Sequence, residues 1–196
     1  LDLDRFKLGK LSTKIDASSA AQQTVSSSTS VLAREATDIF EDLNGQHAQL
    51  TAITTAKNQV VAEPIVITHS LDESGVVAYS RLVVEANENS EVTIVERFVS
   101  CKDAKSLIVP VVDVRAAQSA RVTYVAINEL GESTWQIGYQ QAVGQRDSTM
   151  QMFTVALGGD YARMRLHGFN SHSRKRNKVR SISNESQPDV VERCMG

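Results

Sequence analysis

A repeat of about 30 residues constrains the fold of this chain more than any other feature. Residues 84–95 (VEANENSEVTIV) align without gaps on residues 114–125 (VRAAQSARVTYV), an offset of 30 positions. Residues 148–155 (STMQMFTV) form a weaker third copy, 28 positions after Ala120. Each copy holds two short strands around a polar turn, which favours a β-solenoid of stacked copies. A β-sandwich whose hairpins resemble one another is the alternative.

From about residue 60 onward, apolar and polar residues alternate with a period of two, as in strands with one buried face. The segments are rich in β-branched residues and are separated by turn residues. No convincing long helix interrupts them, which disfavours a doubly wound α/β fold. In the first segment, one face holds Val92, Ile94, Glu96 and Phe98 and the other holds Thr93, Val95, Arg97 and Val99. In the next, one face holds Val122, Tyr124 and Ala126 and the other holds Thr123, Val125 and Ile127. Trp135, Ile137 and Tyr139 share one face, and Met150 and Met152 lie opposite Gln151, Phe153 and Val155.

The N-terminal region has a different composition. Residues 12–30 are rich in Ser, Thr, Ala and Gln, which predicts a linker because so few large apolar side chains cannot offset the entropy of ordering. A helical spacing follows, with Asn44-Gly45 as a possible boundary between two helices. The apolar positions of that spacing are Leu32, Ala36, Ile39, Leu43, Leu50 and Ile53.

Charge and cysteine content exclude several classes of function. The 21 Lys and Arg against 23 Asp and Glu give a net charge of −2, so the chain as a whole is not a basic nucleic-acid binder. No apolar run is long enough to cross a bilayer, and the acidic N-terminus is unlike a signal peptide. The two cysteines stand far apart and predict no disulfide framework, which favours the cytoplasm. A chain that starts with Leu1 is expected to be a fragment or a processed product.

Isolated residues with reactive side chains form no recognisable site in the sequence. We expect Cys101 to be a surface thiol whose pKa Lys102 lowers slightly, and Cys194 to have no role. The histidines form no Cys/His cluster with metal-ligand spacing, although two of them are five positions apart. No acid or histidine is placed by spacing to activate a Ser or Thr nucleophile, so no catalytic triad is predicted. The histidines are His47, His69, His167 and His172.

Two further motifs have structural interpretations. Gly158-Gly159 lacks the Lys-Ser/Thr of a phosphate loop and is expected to form a sharp turn or a close packing between coils, with Arg163 in a structural role. The basic run from Ser173 to Arg180 lacks interleaved aromatic residues, so it is interpreted as a solvated tail rather than a nucleic-acid site.

Four segments in order resemble the SufB/SufD family of iron–sulfur cluster assembly subunits, with SufD the nearer match. The most specific is the Gly-Gly-x-x-x-Arg stretch that leads into a strand at Met164. The resemblance covers roughly residues 38–168. The segments are Phe40–Asn44 (FEDLN), Pro64–Ile67 (PIVI), the repeat from Leu82 to Glu96, and Ala156–Arg163 (ALGGDYAR).

The resemblance implies a mainly β fold, a right-handed parallel β-helix (β-solenoid) preceded by a short α-helical N-terminal region. It implies a non-catalytic scaffold of the SUF complex that pairs with a SufB-like subunit through the β-helix edge and holds a SufC-like ATPase. The complex assembles the iron–sulfur cluster, and this chain itself is expected to bind no cofactor, no metal, no nucleic acid and no membrane. An exposed last coil makes a homodimer possible.

The sequence departs from the family after residue 168, where nothing matches. In the family, the functional Cys and His residues lie late in the β-helix, so none can be assigned to a position in this chain, and no catalytic residue is predicted. We divide the chain into 1–58 (linker and N-terminal helical region), 59–168 (truncated β-helix) and 169–196 (disordered basic tail). Two alternatives stay open. One is a β-helix carbohydrate-active enzyme, for which Glu85 and Asp113 lie on separate coils, and the other is an interaction module unrelated to iron–sulfur assembly.

Overall fold

The chain folds as a mainly β parallel solenoid of about four turns. The structure, a computed structural model, describes residues 6–26, 36–170, 177–183 and 193–194. Along the chain from residue 65, consecutive strands alternate between two sheets, and each strand pairs in parallel with the strand two elements later. The two strands predicted in each copy of the repeat therefore lie in different sheets, and the backbone passes from one sheet to the other as it winds around the solenoid.

Strands dominate the described residues, and the helices are short. The helices are α1 (Ser19–Gln22) and α2 (Ile39–His47). The strands are β1 (Lys7–Leu8), β2 (Ser12–Asp16), β3 (Val25–Ser26), β4 (Gln49–Thr54), β5 (Ile65–Leu71), β6 (Val76–Ala86), β7 (Glu91–Ser100), β8 (Leu107–Ala116), β9 (Arg121–Glu129), β10 (Trp135–Gly144), β11 (Thr149–Ala156), β12 (Tyr161–Asn170), β13 (Asn177–Ser183) and β14 (Arg193–Cys194).

The two sheets face each other across the core. In the described residues, the eight-stranded sheet has the order β14-β12-β10-β8-β6-β4-β3, with β1 also on β6, and the six-stranded sheet has the order β13-β11-β9-β7-β5-β2. Val84 pairs with Val114 and Val92 with Val122, which confirms the register that the repeat predicts. Thr149 pairs with Arg121, which confirms the weaker third copy.

Alternate residues of each strand face the interior, because successive side chains of a strand point to opposite sides. In β7 and β9 the predicted inward rows are buried and the intervening residues are only partly buried. The largest core cluster combines these rows with inward residues of β6 and β8, including Leu82 and Val112. The predicted faces of the strands are thus confirmed.

The turns on one side of the solenoid stack in a column with a common backbone shape. The third residue of each turn has a positive φ, a conformation that Asn and Asp tolerate better than most residues. Backbone amides link successive turns, as from Asn58 to the carbonyl of Glu88 and from Asn89 to that of Gln118 (2.9 and 3.0 Å). The positive-φ positions are Asn58 (61°), Asn89 (56°), Ser119 (61°) and Asp147 (59°).

Helix α2 covers part of the outer face of the eight-stranded sheet. Phe40 and Leu43 pack against outward-facing Tyr79 and Val109, so β6 and β8 are buried on both faces. The Asp38 side chain caps the helix by accepting a hydrogen bond from the backbone amide of Glu41 (3.0 Å). The helix therefore begins where the sequence supplies an N-cap.

The segment interpreted as a linker contains ordered strands in its described part, residues 12–26. β2 pairs antiparallel with β5, and β3 pairs antiparallel with β4, so both lie along the N-terminal end of the solenoid. Backbone hydrogen bonds to a sheet edge need no large side chains, which explains why the composition did not reveal them. Ala21 is fully buried in the core. Residues 27–30 of the expected linker lie outside the described residues.

The helical spacing after residue 30 is only partly a helix. Leu32 lies outside the described residues, and α2 accounts for Ile39 and Leu43. Leu50 and Ile53, however, lie on β4, which pairs in parallel with β6 from Ser80 to Glu85. The prediction of a helix through these two positions is wrong. Their spacing of three residues is compatible with a helix, but Ile53 is a core residue of a strand. Helix α2 ends at His47 rather than at Asn44-Gly45.

The solenoid continues past the point where the sequence resemblance ends. β12 extends to Asn170, and β13 pairs in parallel with β11 from Met150 to Ala156. β14 pairs with β12 at Leu166 and His167. Residues 171–176, 184–192 and 195–196 of the expected tail lie outside the described residues.

Candidate functional site

A continuous row of polar side chains lies inside the six-stranded sheet. His69 Nε2 is 2.9 Å from Glu96 Oε1, and the Tyr124 hydroxyl donates to Glu96 Oε2 at 2.5 Å. On its other side, His69 Nδ1 is 2.9 Å from the hydroxyl of Thr13. The imidazole also stacks on Phe98, with ring centroids 5.2 Å apart. The row joins β2, β5, β7 and β9, which are four neighbouring strands of the sheet.

The inner members of this row are shielded from water, whereas its end is open. His69, Glu96 and Tyr124 are 3%, 0% and 1% exposed, and Thr13 is exposed. Burial, together with the charge of Glu96 and the hydrogen bond to it, raises the pKa of Tyr124 well above its ordinary value. The phenol therefore keeps its proton and acts as a donor to Glu96.

The sequence did not predict that these residues lie together, because no acid or histidine is placed by sequence spacing to activate a hydroxyl. The solenoid brings Thr13, His69 and Glu96 into hydrogen-bond contact although they are far apart in sequence. One signal was visible. Glu96 occupies the inward row of β7 between Ile94 and Phe98, where an acid is costly unless it is paired.

A second buried polar site lies on the outer face of the eight-stranded sheet. Arg81 Nη2 donates to Asp113 Oδ2 at 2.7 Å, and each side chain is 7% exposed. Nearby, Asn44 of α2 donates from Nδ2 to the backbone carbonyls of Ser80 and Val109 (both 2.8 Å). Three buried atoms at this site have no hydrogen-bond partner among the described residues: Arg81 Nε, Asn44 Oδ1 and the Ser80 hydroxyl.

A groove borders α2 on the side of β10 and β12. Its floor is formed by outward-facing apolar residues such as Val111 and Ile137, and its wall by Phe40. At its rim Arg165 Nη1 lies 3.3 Å from Asp38 Oδ2, which ties the N-cap of α2 to β12. Arg163, for which a structural role was expected, lines the same groove.

The structure corrects the expected state of the Cys101 thiol. Cys101 is exposed, and its Sγ donates to Asp72 Oδ1 at 3.1 Å. This hydrogen bond and the negative charge of Asp72 raise the pKa of Cys101 instead of lowering it. Lys102 points to Glu132, with 3.7 Å between Nζ and Oε1. The thiol therefore stays protonated, which makes it a poor nucleophile and a poor metal ligand. Cys194 is in β14, and its side chain lies outside the described part of the structure.

The histidines are dispersed over the fold. His47 is exposed near Tyr79 at the end of α2, His69 is buried in the polar row, and His167 lies against Tyr139 with ring centroids 5.2 Å apart. His172 lies outside the described residues, so a ligand shared with His167 stays untested. Within the described ranges, no group of three or more His, Cys, Asp or Glu side chains is arranged to hold a metal ion.

The Gly158-Gly159 pair forms the corner that leads into β12, as the packing interpretation predicted. A Cβ on Gly158 would overlap the backbone carbonyl oxygen of Leu130 in the preceding coil, and Gly159 has a φ of +91°. Both positions therefore require glycine for backbone reasons. β12 follows directly, so the corner is not the start of a helix of the kind that binds phosphate.

The remaining candidates do not form a site. Asp113 is paired with Arg81, and Glu85 lies on the neighbouring strand β6, opposite Arg115 and two positions beyond Val83, the register partner of Asp113. The basic residues from 174 to 176 are outside the described residues, and those from 177 to 180 belong to β13. Among the described residues, no helix is long and apolar enough to cross a membrane.

Comparison with known proteins identifies the family. No curated protein and no solved structure among those compared matches the chain. The model of one family, described as SUF system FeS cluster assembly, SufBD core domain, matches residues 66–187. The match begins in β5 and extends through β13, so it covers most of the parallel strands and passes the point at residue 168 where the motif resemblance ends. Over most of its length, therefore, the chain is a SufBD core domain and belongs to this family of the SUF iron–sulfur cluster assembly system.

Proposed function

We propose that this chain is a SufD-like scaffold of the SUF complex, which acts without catalysing cluster chemistry itself by pairing with a SufB-like subunit and a SufC-like ATPase. The observation that carries the proposal is the SufBD core match over residues 66–187, on a solenoid whose strands pair in parallel. A cytoplasmic location is part of the proposal.

The two ends of the described solenoid differ in a way that supports pairing through strands. At the N-terminal end, antiparallel β2 and β3 lie along β5 and β4 and occupy their edges. Beyond β10 and β11, the sheets continue in parallel through β12 and β13. We propose that a partner strand adds on this second side, where it can extend the parallel pairing of the coils.

The donor set of the described residues supports a scaffold role rather than a resident cluster. Iron–sulfur clusters are held mainly by thiolates, and Asp72 favours the protonated form of the Cys101 thiol. We therefore propose that the cluster is cargo of the assembled complex and that this chain alone binds no cofactor.

Co-expression of the full chain with a SufB-like and a SufC-like subunit tests the partners. We expect a stable complex in native mass spectrometry that contains all three chains. A chain that stays alone, or that forms only a homodimer, in the presence of both subunits would refute the proposed partnership.

Anaerobic incubation of the isolated chain with ferrous iron, sulfide and a thiol reductant tests the absence of a resident cluster. We expect no cluster absorption after desalting, and the same result for Cys101→Ser, the matched control that removes the exposed thiol. A stoichiometric cluster that Cys101→Ser abolishes would overturn this part of the proposal without affecting the partner measurement.

A further inference from the structure

We propose that Thr13 is a base-assisted nucleophile that accepts an acyl group from a carboxylic ester, with His69 as its general base and Glu96 as the residue that orients the imidazole. This activity goes beyond cluster assembly and does not depend on it. The proposal rests on one geometric fact: the hydroxyl of an exposed residue, a buried imidazole and a buried carboxylate are joined by two contacts of 2.9 Å each.

The distances fit the requirement for such a group. A nucleophile and its base must lie within about 2.6–3.2 Å, and a third group must orient the base. Thr13 to His69 and His69 to Glu96 both satisfy this range. The hydroxyl contacts Nδ1 and the carboxylate contacts Nε2, and either ring nitrogen can act as the base when the other is held as a donor.

Tyr124 fixes the direction of the hydrogen bonds. Its phenol donates to Glu96 Oε2, which leaves Oε1 of the carboxylate to accept from His69 Nε2–H. With the proton on Nε2, the lone pair of Nδ1 faces Thr13 and accepts from its hydroxyl. The tautomer that this network assigns is the one that can remove a proton from Thr13.

The imidazole is held in place on its faces as well as at its edges. Phe98 stacks on the ring with an interplanar angle of 22°, and the side chain is 3% exposed. A base that cannot rotate stays aligned with its nucleophile, which is the positional component of catalysis. Thr13, in contrast, is on the exposed strand β2 and is accessible to a reagent.

The acyl transfer to Thr13 moves one proton through His69. Thr13 Oγ1 attacks the ester carbonyl carbon while its proton moves to His69 Nδ1. An Oγ1–C bond forms, the C–O bond to the alcohol breaks, and the proton passes from Nδ1 to the leaving alkoxide. Glu96 remains a carboxylate throughout and stabilises the imidazolium between the two transfers. The products are an acyl-Thr13 ester and the free alcohol.

An alkyl fluorophosphonate tests this reactivity, because it forms an O–P bond to activated hydroxyls with loss of fluoride. We expect one adduct per chain in intact mass spectra, located at Thr13 by peptide mapping. Thr13→Val removes the hydroxyl while keeping the shape, and it should abolish that adduct. Thr13→Ser should retain it.

Ser12→Ala is the matched control, since Ser12 is a neighbouring exposed hydroxyl of β2 and should not affect labelling. His69→Asn should slow labelling about 10²-fold or more, the usual contribution of a general base. Because His69 is buried, its variant is compared only after circular dichroism shows a native spectrum, and the Thr13 variants decide the question if it does not.

Three results would overturn the proposal. The first is no adduct on the wild-type chain under conditions that label a serine hydrolase in the same tube. The second is an adduct that persists in Thr13→Val. The third is labelling of Ser12 at the same rate as Thr13, which would mean that exposed hydroxyls react without base assistance.

Discussion

The two buried polar sites of this solenoid differ in how completely their polar atoms are hydrogen-bonded. In the six-stranded sheet, the two oxygens of Glu96 are both engaged, by His69 and by Tyr124. On the outer face of the eight-stranded sheet, Arg81 and Asp113 pair at 2.7 Å, while Arg81 Nε, Asn44 Oδ1 and the Ser80 hydroxyl nearby have no partner in the described part of the chain. Glu96 and Tyr124 at the first site, and Arg81 and Asp113 at the second, are each less than a tenth exposed.

The two sites differ because their side chains come from different kinds of structural element. The row around Glu96 is built from strands of one sheet, whose regular spacing aligns each side chain with the next. The site around Arg81 lies where outer-face residues meet a helix, and helix α2 does not share the period of the strands beneath it. At these two sites, the side chains from neighbouring strands satisfy Glu96 more completely than the helix–sheet junction satisfies Arg81.

The largest effect that tests this comparison is expected for Asp113→Ala. Removal of one partner leaves the Arg81 guanidinium buried and unpaired, which costs about 3–5 kcal/mol of unfolding free energy. The double variant Arg81→Met/Asp113→Leu should recover most of that loss, because apolar residues need no partners. Urea unfolding followed by circular dichroism measures both. A loss below about 1 kcal/mol for Asp113→Ala would mean that the ion pair is not buried in solution.

Tyr124→Phe is expected to have the next largest effect. It removes a hydrogen bond to a charged group and leaves Glu96 Oε2 without its donor, at a cost of about 1.5–3 kcal/mol. Tyr79→Phe, on the outer face of the other sheet, is the matched control for loss of a phenol, because burial alone raises the pKa of Tyr79. Equal losses for the two variants would remove any special status of the row around Glu96.

The pH dependence of stability sharpens the same comparison. The pKa of Tyr124 is raised above its ordinary 10.0, so the folded chain holds a proton that the unfolded chain has already lost at high pH. The stability that this gives is complete below pH 10.0 and is lost as the pH rises through the folded pKa, by up to about 1.4 kcal/mol per pH unit. Tyr79, whose pKa burial also raises, adds to this slope.

Urea titrations between neutral pH and the alkaline range measure this slope. Tyr124→Phe should show a shallower decline than the wild-type chain, since one of the contributing phenols is gone. An identical slope in both proteins would contradict the assignment to Tyr124.

The smallest effect is expected at the exposed ion pair between Arg97 and Glu129, on the outer face of the six-stranded sheet. The pair is 2.7 Å apart, but its side chains are 41% and 34% exposed. Glu129→Gln should cost about 0–1 kcal/mol, and less in high salt, because exposed pairs are screened by water and ions. A loss as large as that of Asp113→Ala would show that burial does not separate these pairs.

The parallel strands could be predicted from the sequence because their register follows a repeating pattern of side chains. Val84 and Val114 occupy equivalent places in neighbouring coils, and the alternation marks which residues face the core. β2 and β3 have no such pattern. They are held by backbone hydrogen bonds along a sheet edge, to which Ser, Thr and Ala are as well suited as larger residues.

The candidate site was harder to predict than the fold. Thr13, His69 and Glu96 come together only through the stacking of coils, so no local spacing relates them. The inward position of Glu96 was visible in the alternation of β7, but its partners depend on the stacked register and, for Thr13, on an edge strand that the sequence did not reveal. The thiol of Cys101 shows the same limit. Its neighbour in sequence is Lys102, while its neighbour in space is Asp72 of the preceding coil.

The contact between Arg165 and Asp38 has a consequence for the order of events during synthesis. Each coil of the solenoid pairs with the coil made about 30 residues earlier, so strands can be added one after another as the chain emerges. Asp38 and Arg165 are 127 positions apart in sequence, farther apart than the paired residues of any strand pairing described. Their contact links the N-cap of α2 to β12. Helix α2 can pack on β6 and β8 once those strands have been made, whereas the Asp38–Arg165 contact can form only after β12 has been made.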